Sequence, residues 1–318
     1  MELILVNLID GLVTGLLLFM LSAGLTLIFS MMGVLNFAHA SFYMLGAYFA
    51  YQISLYVGFF SGVIIAPLIV GVLGALVERF GLRKVHQYGH VPELIFTFGL
   101  ALLIEELVQF FWGRNLVPYD PPPILKFTAF SIGANTIPAY KVFMIFCSIS
   151  IFLGLLYILT KTRVGMVIQA ALSYPKTVEA LGHNVPLVFM GVFGVGTALA
   201  GLAGVIAGPS LGTFPGMAIV LGSIVFVTIV IGGLGSLWGA LAASLLIGWI
   251  TTFAISFDLA MADVLVSLGF EKPQIMSDSV MRDLWTLTLP QIGPILPFLL
   301  MVLILVFRPN GLLGKRET

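Results

Sequence analysis

Between Ser30 and Tyr48 the chain reads SMMGVLNFAHASFYMLGAY. Asn36, His39, Ser41 and Tyr43 stand there among apolar neighbours and the small residues Gly33, Ala38, Ala40 and Gly46. A polar group in hydrocarbon must find a partner inside the protein or in a watery cavity, because lipid offers none. On a continuous helix Asn36, His39 and Tyr43, spaced i, i+3, i+7, share one face. Such a face either lines a polar route through the membrane or hydrogen-bonds a neighbouring helix. The stretch is expected to be a broken or closely packed helix with this face turned from lipid.

A second set of polar residues lies in PELIFTFGLALLIEELVQFFWG, which carries Thr97, Glu105 and Glu106. A carboxylate at the centre of a spanning helix costs about 2.5–3.5 kcal/mol on insertion scales, and such groups usually face a cavity or a base. Glu105 shares a face with Gln109, while Glu106 is turned about 100° away. Both carboxylates fall toward the outer end of the span. Reaching headgroups or pairing with Arg114 there competes with lining the mouth of a route. Thr97 near mid-membrane either faces the route or bonds its own helix. No GxxxxGK[ST] phosphate loop, HExxH or GxSxG motif is present, so neither ATP hydrolysis nor intramembrane hydrolysis is expected of this chain. His39, His86, His90 and His183 are too scattered in sequence to suggest a metal site, and none is expected.

The elements that must hold these residues follow from composition. The chain has 318 residues, of which 60% are hydrophobic and 9% charged, with a mean hydropathy of +1.13. A soluble domain carries about 25% charged residues, so this is an integral membrane protein. Thirty-five glycines and long apolar runs favour packed helices over a barrel. Zero net charge gives no argument for nucleic acid, and the single Cys147 excludes a disulfide within the chain. MELILVNLID lacks a basic leader, so the first span is expected to be retained.

A span needs about 20 apolar residues. Eight to nine are expected, over Leu3 or Gly11–Phe29, Ser41–Val57, Phe59–Phe80, Pro92–Trp112, Ile137–Thr160, Leu187–Ala207, Met217–Ile231, Ala240–Phe257 and Ile292–Phe307. A proline-rich loop lies between Pro118 and Pro138. A basic loop with Arg79, Arg83, Lys84, His86 and His90 follows the third span. Gly196, Ala200, Gly204 and Gly208 form a four-residue stripe that lets two helices touch backbone to backbone. Glycine-rich breaks recur at MMGVLNFAHAS, GPSLGTFPG and GGLGSLWG, and interrupted spans in two halves point to an inverted repeat and its pathway.

Lys and Arg distribute unevenly between alternate loops. Arg79, Arg83, Lys84, Lys161, Arg163, Lys176, Arg308, Lys315 and Arg316 fall on one side, nine of the fourteen; Arg114, Lys126, Lys141, Lys272 and Arg282 fall on the other. The richer side is expected in the cytoplasm, the N-terminus outside and the C-terminus inside. Acidic residues between Asp258 and Asp283 then fall outside. The mixed-polarity segment 161–186 is cytoplasmic by this rule, and suits a short amphipathic helix offered to a soluble partner.

GVLNFAHASFYMLGAY resembles the N-F-A-H-G-x-x-Y-M-x-G-[AS]-Y segment of LivH-type permeases of branched-chain amino-acid ABC importers, departing at Ala40. FTFG resembles the family's T-[IFL]-G. IGGLGSLWGALAAS resembles its L-G-G-[IL]-G-[ST]-x-x-G-[AP], and FRPNGLLGK its tail. TRVGMVIQAALSYPKTVEALGHNVP is similar to the family's coupling loop, matching at Arg163, Gly165, Ala170, Ala180, Gly182 and Asn184, with Gln169 where the family has a basic residue.

The resemblance implies an all-α polytopic transmembrane helix bundle, a single permease domain over 1–318 with its coupling loop at 161–186. The implied function is import of a small polar solute, a branched-chain amino acid or a related amide or organic acid, by alternating access across the bacterial inner membrane. The translocation pathway would involve Asn36, His39, Ser41, Tyr43, Thr97 and Glu105. ATPase docking would involve Tyr174, Lys176, Glu179, Ala180, Leu181 and Gly182. Implied partners are a second permease subunit, two ATP-binding-cassette subunits that hydrolyse the ATP, and a periplasmic binding protein; no cofactor is expected in this chain. The competing reading is a proton-coupled secondary transporter using Glu105, Glu106 or His39.

Overall fold

The structure is a computed structural model that describes residues 1–33, 35–257, 263 and 287–314. It is a helical bundle. Its helices are α1 (Glu2–Met32), α2 (His39–Val57), α3 (Phe59–Val77), α4 (Arg83–His86), α5 (His90–Trp112), α6 (Ala139–Lys161), α7 (Arg163–Ser173), α8 (Pro175–Ala180), α9 (Val185–Leu211), α10 (Met217–Gly232), α11 (Leu237–Ser256), α12 (Leu289–Ile292) and α13 (Leu296–Phe307). Among the described residues seven helical stretches are long and apolar enough to cross a membrane, and α10 is a shorter apolar helix. Helix α2, with its His, Gln and four Tyr residues, is more polar than these.

The bundle is built around α1. Of its most apolar stretch 83% is buried, against 17% in α5 and in α6, so α1 is a central pole while α5 and α6 face outward. Helix α11 runs antiparallel along it. Trp249 Nε1 donates to the Leu8 carbonyl (3.1 Å), Ser256 Oγ to Asn7 Oδ1 (2.9 Å), and Ser30 Oγ to the Gly235 carbonyl (3.3 Å). Contact this close rests on Gly11, Gly15 and Gly248, where any added Cβ would strike the opposing backbone or the Trp249 ring. The stripe on α9 works in the same way. Gly196 meets Gly24 and Ile28 of α1, and Gly204 meets the Tyr43 carbonyl of α2. Helix α6 runs parallel to α1, tied by Lys141 Nζ to Asp10 Oδ1 (2.6 Å) and by Phe152 edge-on to Phe19.

The elements end on two opposite faces. One face gathers the start of α1, the α2–α3 turn, residues 113–138 and the α9–α10 turn; Gly133 abuts the Glu2 carboxylate, and Val117 pairs with Thr213. The other gathers the end of α1, α4, α7, α8, the α10–α11 turn and residues 308–314, where Leu312 N–H donates to the Ile231 carbonyl (2.8 Å). Arg79, Arg83, Lys84, Lys161, Arg163, Lys176 and Arg308 belong to this second face, Arg114, Lys126 and Lys141 to the first. The split expected from the charges is therefore a real one between the two ends. Lys272, Arg282, Lys315 and Arg316, like Asp258, Glu271, Asp278 and Asp283, lie outside the described residues.

Four expectations need correction. The basic stretch after the third span is helical, not a loop: α3 passes into a π-helical turn at Glu78–Leu82 and then α4, because Glu78 is buried there against Arg83. The turn expected at GPSLGTFPG begins only at Gly212. Gly208, Pro209 and Leu211 belong to α9, and the chain leaves the helix at Gly212 with φ +86°. The proline-rich loop contains a two-stranded hairpin, β1 (Thr128–Ile132) and β2 (Asn135–Pro138). Asn36 and His39 are not on one helix, because α2 begins at His39 and Asn36 precedes it in a turn.

Candidate functional site

Helix α1 ends at Gly33, whose positive φ (+65°) lets its N–H close on the Phe29 carbonyl (2.9 Å), a conformation that suits glycine. Residues 35–38 then lie within the bundle without helical structure, and α2 begins at His39. A turn at this depth is tolerated only where protein satisfies its backbone, and the partners are present. Asn36 Oδ1 accepts from Ala38 N–H (3.1 Å), the Asn36 carbonyl from His39 N–H (3.1 Å), and Thr97 Oγ1 from Phe37 N–H (3.3 Å). Thr97 donates in turn to the Leu94 carbonyl (3.1 Å). Thr97 lies seven residues into α5, about 10 Å along it at 1.5 Å per residue.

Beside this turn is a cavity of about 500 Å³, enclosed by α1, α2, α5, α10 and α13. Its wall is largely apolar, with Phe37, Phe98, Phe226 and Phe298 supplying rings. Asn36, His39, Ser41, Ser223 and Glu105 supply the polar groups. The first turn of α2 faces it through His39, Ala40 and Ser41, so the positive end of a helix dipole borders the cavity. Asn36 is 5% exposed, and its Nδ2 has no partner among the described residues. His39 is pinned to α1: Nε2 donates to the Leu21 carbonyl (3.0 Å), which fixes the proton on that nitrogen.

Four of the six pathway residues singled out in the sequence, Asn36, His39, Ser41 and Glu105, thus line one cavity. Thr97 stands behind it, holding the turn. Tyr43 is not on its wall. It is buried in the core one turn beyond His39 on α2, where its backbone meets Gly204 of α9. Glu106 is exposed on the outer side of α5. Ser223 on α10 was not singled out in the sequence; a lone serine in an apolar run gives no signal until α10 is seen to face α2, with Gly222 against Ala40.

At the more basic face, segment 161–186 forms two short helices rather than one. Thr162 Oγ1 caps α7 by accepting from Gly165 N–H (3.2 Å), and Asn184 Oδ1 caps α9 by accepting from Leu187 N–H (3.0 Å). Val178 of α8 is buried with Ala171 and Val185, which fixes the small unit to α9. Its other side is open: Tyr174, Lys176, Glu179, Ala180, Leu181 and Gly182 are all exposed. Leu181 is 75% exposed at the tip, where Gly182 turns the chain with φ +88°.

Beneath this ledge is a polar cluster in which Arg83, His86 and His90, expected in a loop, meet two carboxylates not singled out in the sequence. Glu78 is 2% exposed and held by the Arg83 fork (Nε 3.0 Å, Nη2 2.5 Å). Glu93 on α5 is fully buried, bonded to His86 Nδ1 and within 3.5 Å of His90 Nδ1. The signal lay in the sequence: two carboxylates flank a basic run, and one of them sits in the first turn of a helix. No group of three or more metal-ligating side chains occurs among the described residues.

The sequence profile of the family described as "Branched-chain amino acid transport system / permease component" matches residues 7–305. The chain is 25% identical over 325 residues to the high-affinity branched-chain amino acid transport system permease protein BraD of Pseudomonas aeruginosa, covering 98% of this chain and 96% of that one. It is 24% identical to the corresponding LivH proteins of Salmonella typhimurium and Escherichia coli, covering 97% of this chain and 94% of theirs. No solved structure matches.

Proposed function

The chain belongs to the family of branched-chain amino acid transport permease components, and for this membrane-spanning subunit of an ABC importer we propose that the cavity beside the Asn36 turn is the solute's station on an alternating-access route. The observation that carries the reading is the pairing of that cavity with an exposed two-helix ledge at the basic end of the bundle. A small amphipathic solute fits the wall: rings and aliphatic groups for an apolar body, Glu105 for a cationic amine, and Asn36 Nδ2 with the start of α2 for a carboxylate. A branched-chain amino acid has these three parts, and it is the cargo that the relatives' names give.

In this mechanism the more basic face is cytoplasmic, in the inner membrane, with the N-terminus in the periplasm. Tyr174, Lys176, Glu179, Ala180, Leu181 and Gly182 dock one of two ATP-hydrolysing subunits, and a second permease subunit completes the route and docks the other. A periplasmic binding protein delivers the solute at the face holding residues 113–138. This chain binds and passes the solute and performs no hydrolysis itself.

The test is uptake of radiolabelled leucine into liposomes holding the purified complex. Uptake is expected only when the ATPase subunits, ATP and the binding protein are all present. Leucine accumulation by the chain alone on a pH gradient would replace this reading with a proton-coupled one.

A further inference from the structure

The ledge and the cavity lie at different depths of the bundle, and a short run of contacts joins them. The α7–α8 unit is fixed to the first turn of α9 by the Ala171, Val178 and Val185 cluster. The carbonyl of Pro186, in that turn, accepts from Arg83 Nη2 (2.7 Å). The same guanidinium grips both oxygens of Glu78 in the π-helical turn. Next to it, α4 bonds α5 through His86 and the buried Glu93, and Gly81 is closed against the Phe96 ring. One helical turn beyond Glu93 stands Thr97, whose hydroxyl holds the Phe37 N–H at the cavity. Between the ledge and the elbow, bordered by Glu78, Arg83, Glu179 and Phe189, is a hollow of about 180 Å³ that gives the joint room to move.

From this we infer that Arg83 is the positioning residue through which movement of the docked ledge reaches α5 and the cavity. The role rests on the function proposed above. A planar guanidinium can hold a carboxylate bidentately and still direct an N–H at a backbone carbonyl. An ammonium is a point charge with no such fork. Glu78, buried at 2% exposure, would be a costly group to leave there for any lesser duty. Physical contiguity is a route for coupling, and coupling itself has to be measured.

The measurement is ATP hydrolysed per leucine imported, in the reconstituted complex with its binding protein. Wild type must show ATP-driven leucine uptake; its absence would sink the proposed function itself. With uptake established, Arg83→Lys is expected to raise the ATP cost per leucine at least fivefold, and Arg83→Gln further. An unchanged ratio in Arg83→Lys overturns the inference. That includes the case where uptake and hydrolysis fall in proportion, as a purely structural role would give. A second measurement needs no variant. In the wild-type complex, binding of a non-hydrolysable ATP analogue is expected to change backbone hydrogen exchange in residues 78–93 together with 175–186. A change confined to 175–186 overturns the inference as well.

Discussion

The backbone N–H of Phe37 donates to Oγ1 of Thr97, 3.3 Å away and sixty residues on in the chain. This bond ties the Asn36 turn to α5. Thr97→Val keeps the shape but leaves a part-buried donor unmatched, at up to about 1–3 kcal/mol. Leucine uptake by Thr97→Val should fall roughly tenfold, the equivalent of about 1.4 kcal/mol. Thr97→Ser, which retains the hydroxyl, should stay near wild type. Equal uptake by the two variants would remove Thr97 from the architecture of the cavity.

Glu105 and Glu106 are adjacent in sequence and opposed in place: the first lines the cavity, the second is exposed on the outer side of α5. Glu105→Gln should reduce leucine uptake by roughly tenfold or more, since hydrogen bonds to charged groups contribute about 1.5–3 kcal/mol. Glu106→Gln should transport normally. Uptake initial rates at matched membrane expression decide between them, and the reverse order would place the route elsewhere.

Glycine substitutions should divide by contact, not by conservation of helix propensity. A Cβ at Gly204 would overlap the Tyr43 carbonyl, and one at Gly46 the backbone of Gly201; a Cβ at Gly99 meets nothing within 4 Å. Gly204→Leu and Gly46→Leu should fail to give a monodisperse protein in detergent. Gly99→Ala should be tolerated and gain up to about 1 kcal/mol from helix propensity. Thermal unfolding of purified protein reads the difference.

Single cysteines at Lys126 and Lys176 in a Cys147→Ser background test the sidedness. Lys126 is beside the hairpin at one end and Lys176 on α8 at the other. A membrane-impermeant maleimide added to spheroplasts should label Lys126→Cys and spare Lys176→Cys until the membrane is broken. Labelling of both from outside would collapse the two-faced topology.

Much of this was legible because the membrane makes polarity informative. Asn36, His39, Ser41 and Glu105 stood out against apolar runs, and the structure gathers them at one cavity. Asn36 is out of register with His39 and Tyr43, because α1 ends at an αL glycine, Gly33, and residues 35–38 are not helical. Glu78 and Glu93 were hidden for the opposite reason. Charges near a span's end look solvated, and only tertiary contact with Arg83 and His86 buries them. The hairpin at 128–138 was masked by prolines that read as irregular chain. Pro209 signalled a stop one turn early, at a site where α9 continues.

The central pole has a bearing on how the bundle is made. Helix α1 precedes the other described helices in the chain, yet those that enclose it most closely, α9 and α11, are made much later. Beyond Asp10 it carries no charged side chain and is apolar on every side apart from a few hydroxyls, and Ser22 satisfies its own on the Leu18 carbonyl of the same helix. Such a segment can wait in lipid at little cost. Birth order and burial order are therefore reversed, and the permease closes inward onto a helix made before those that enclose it.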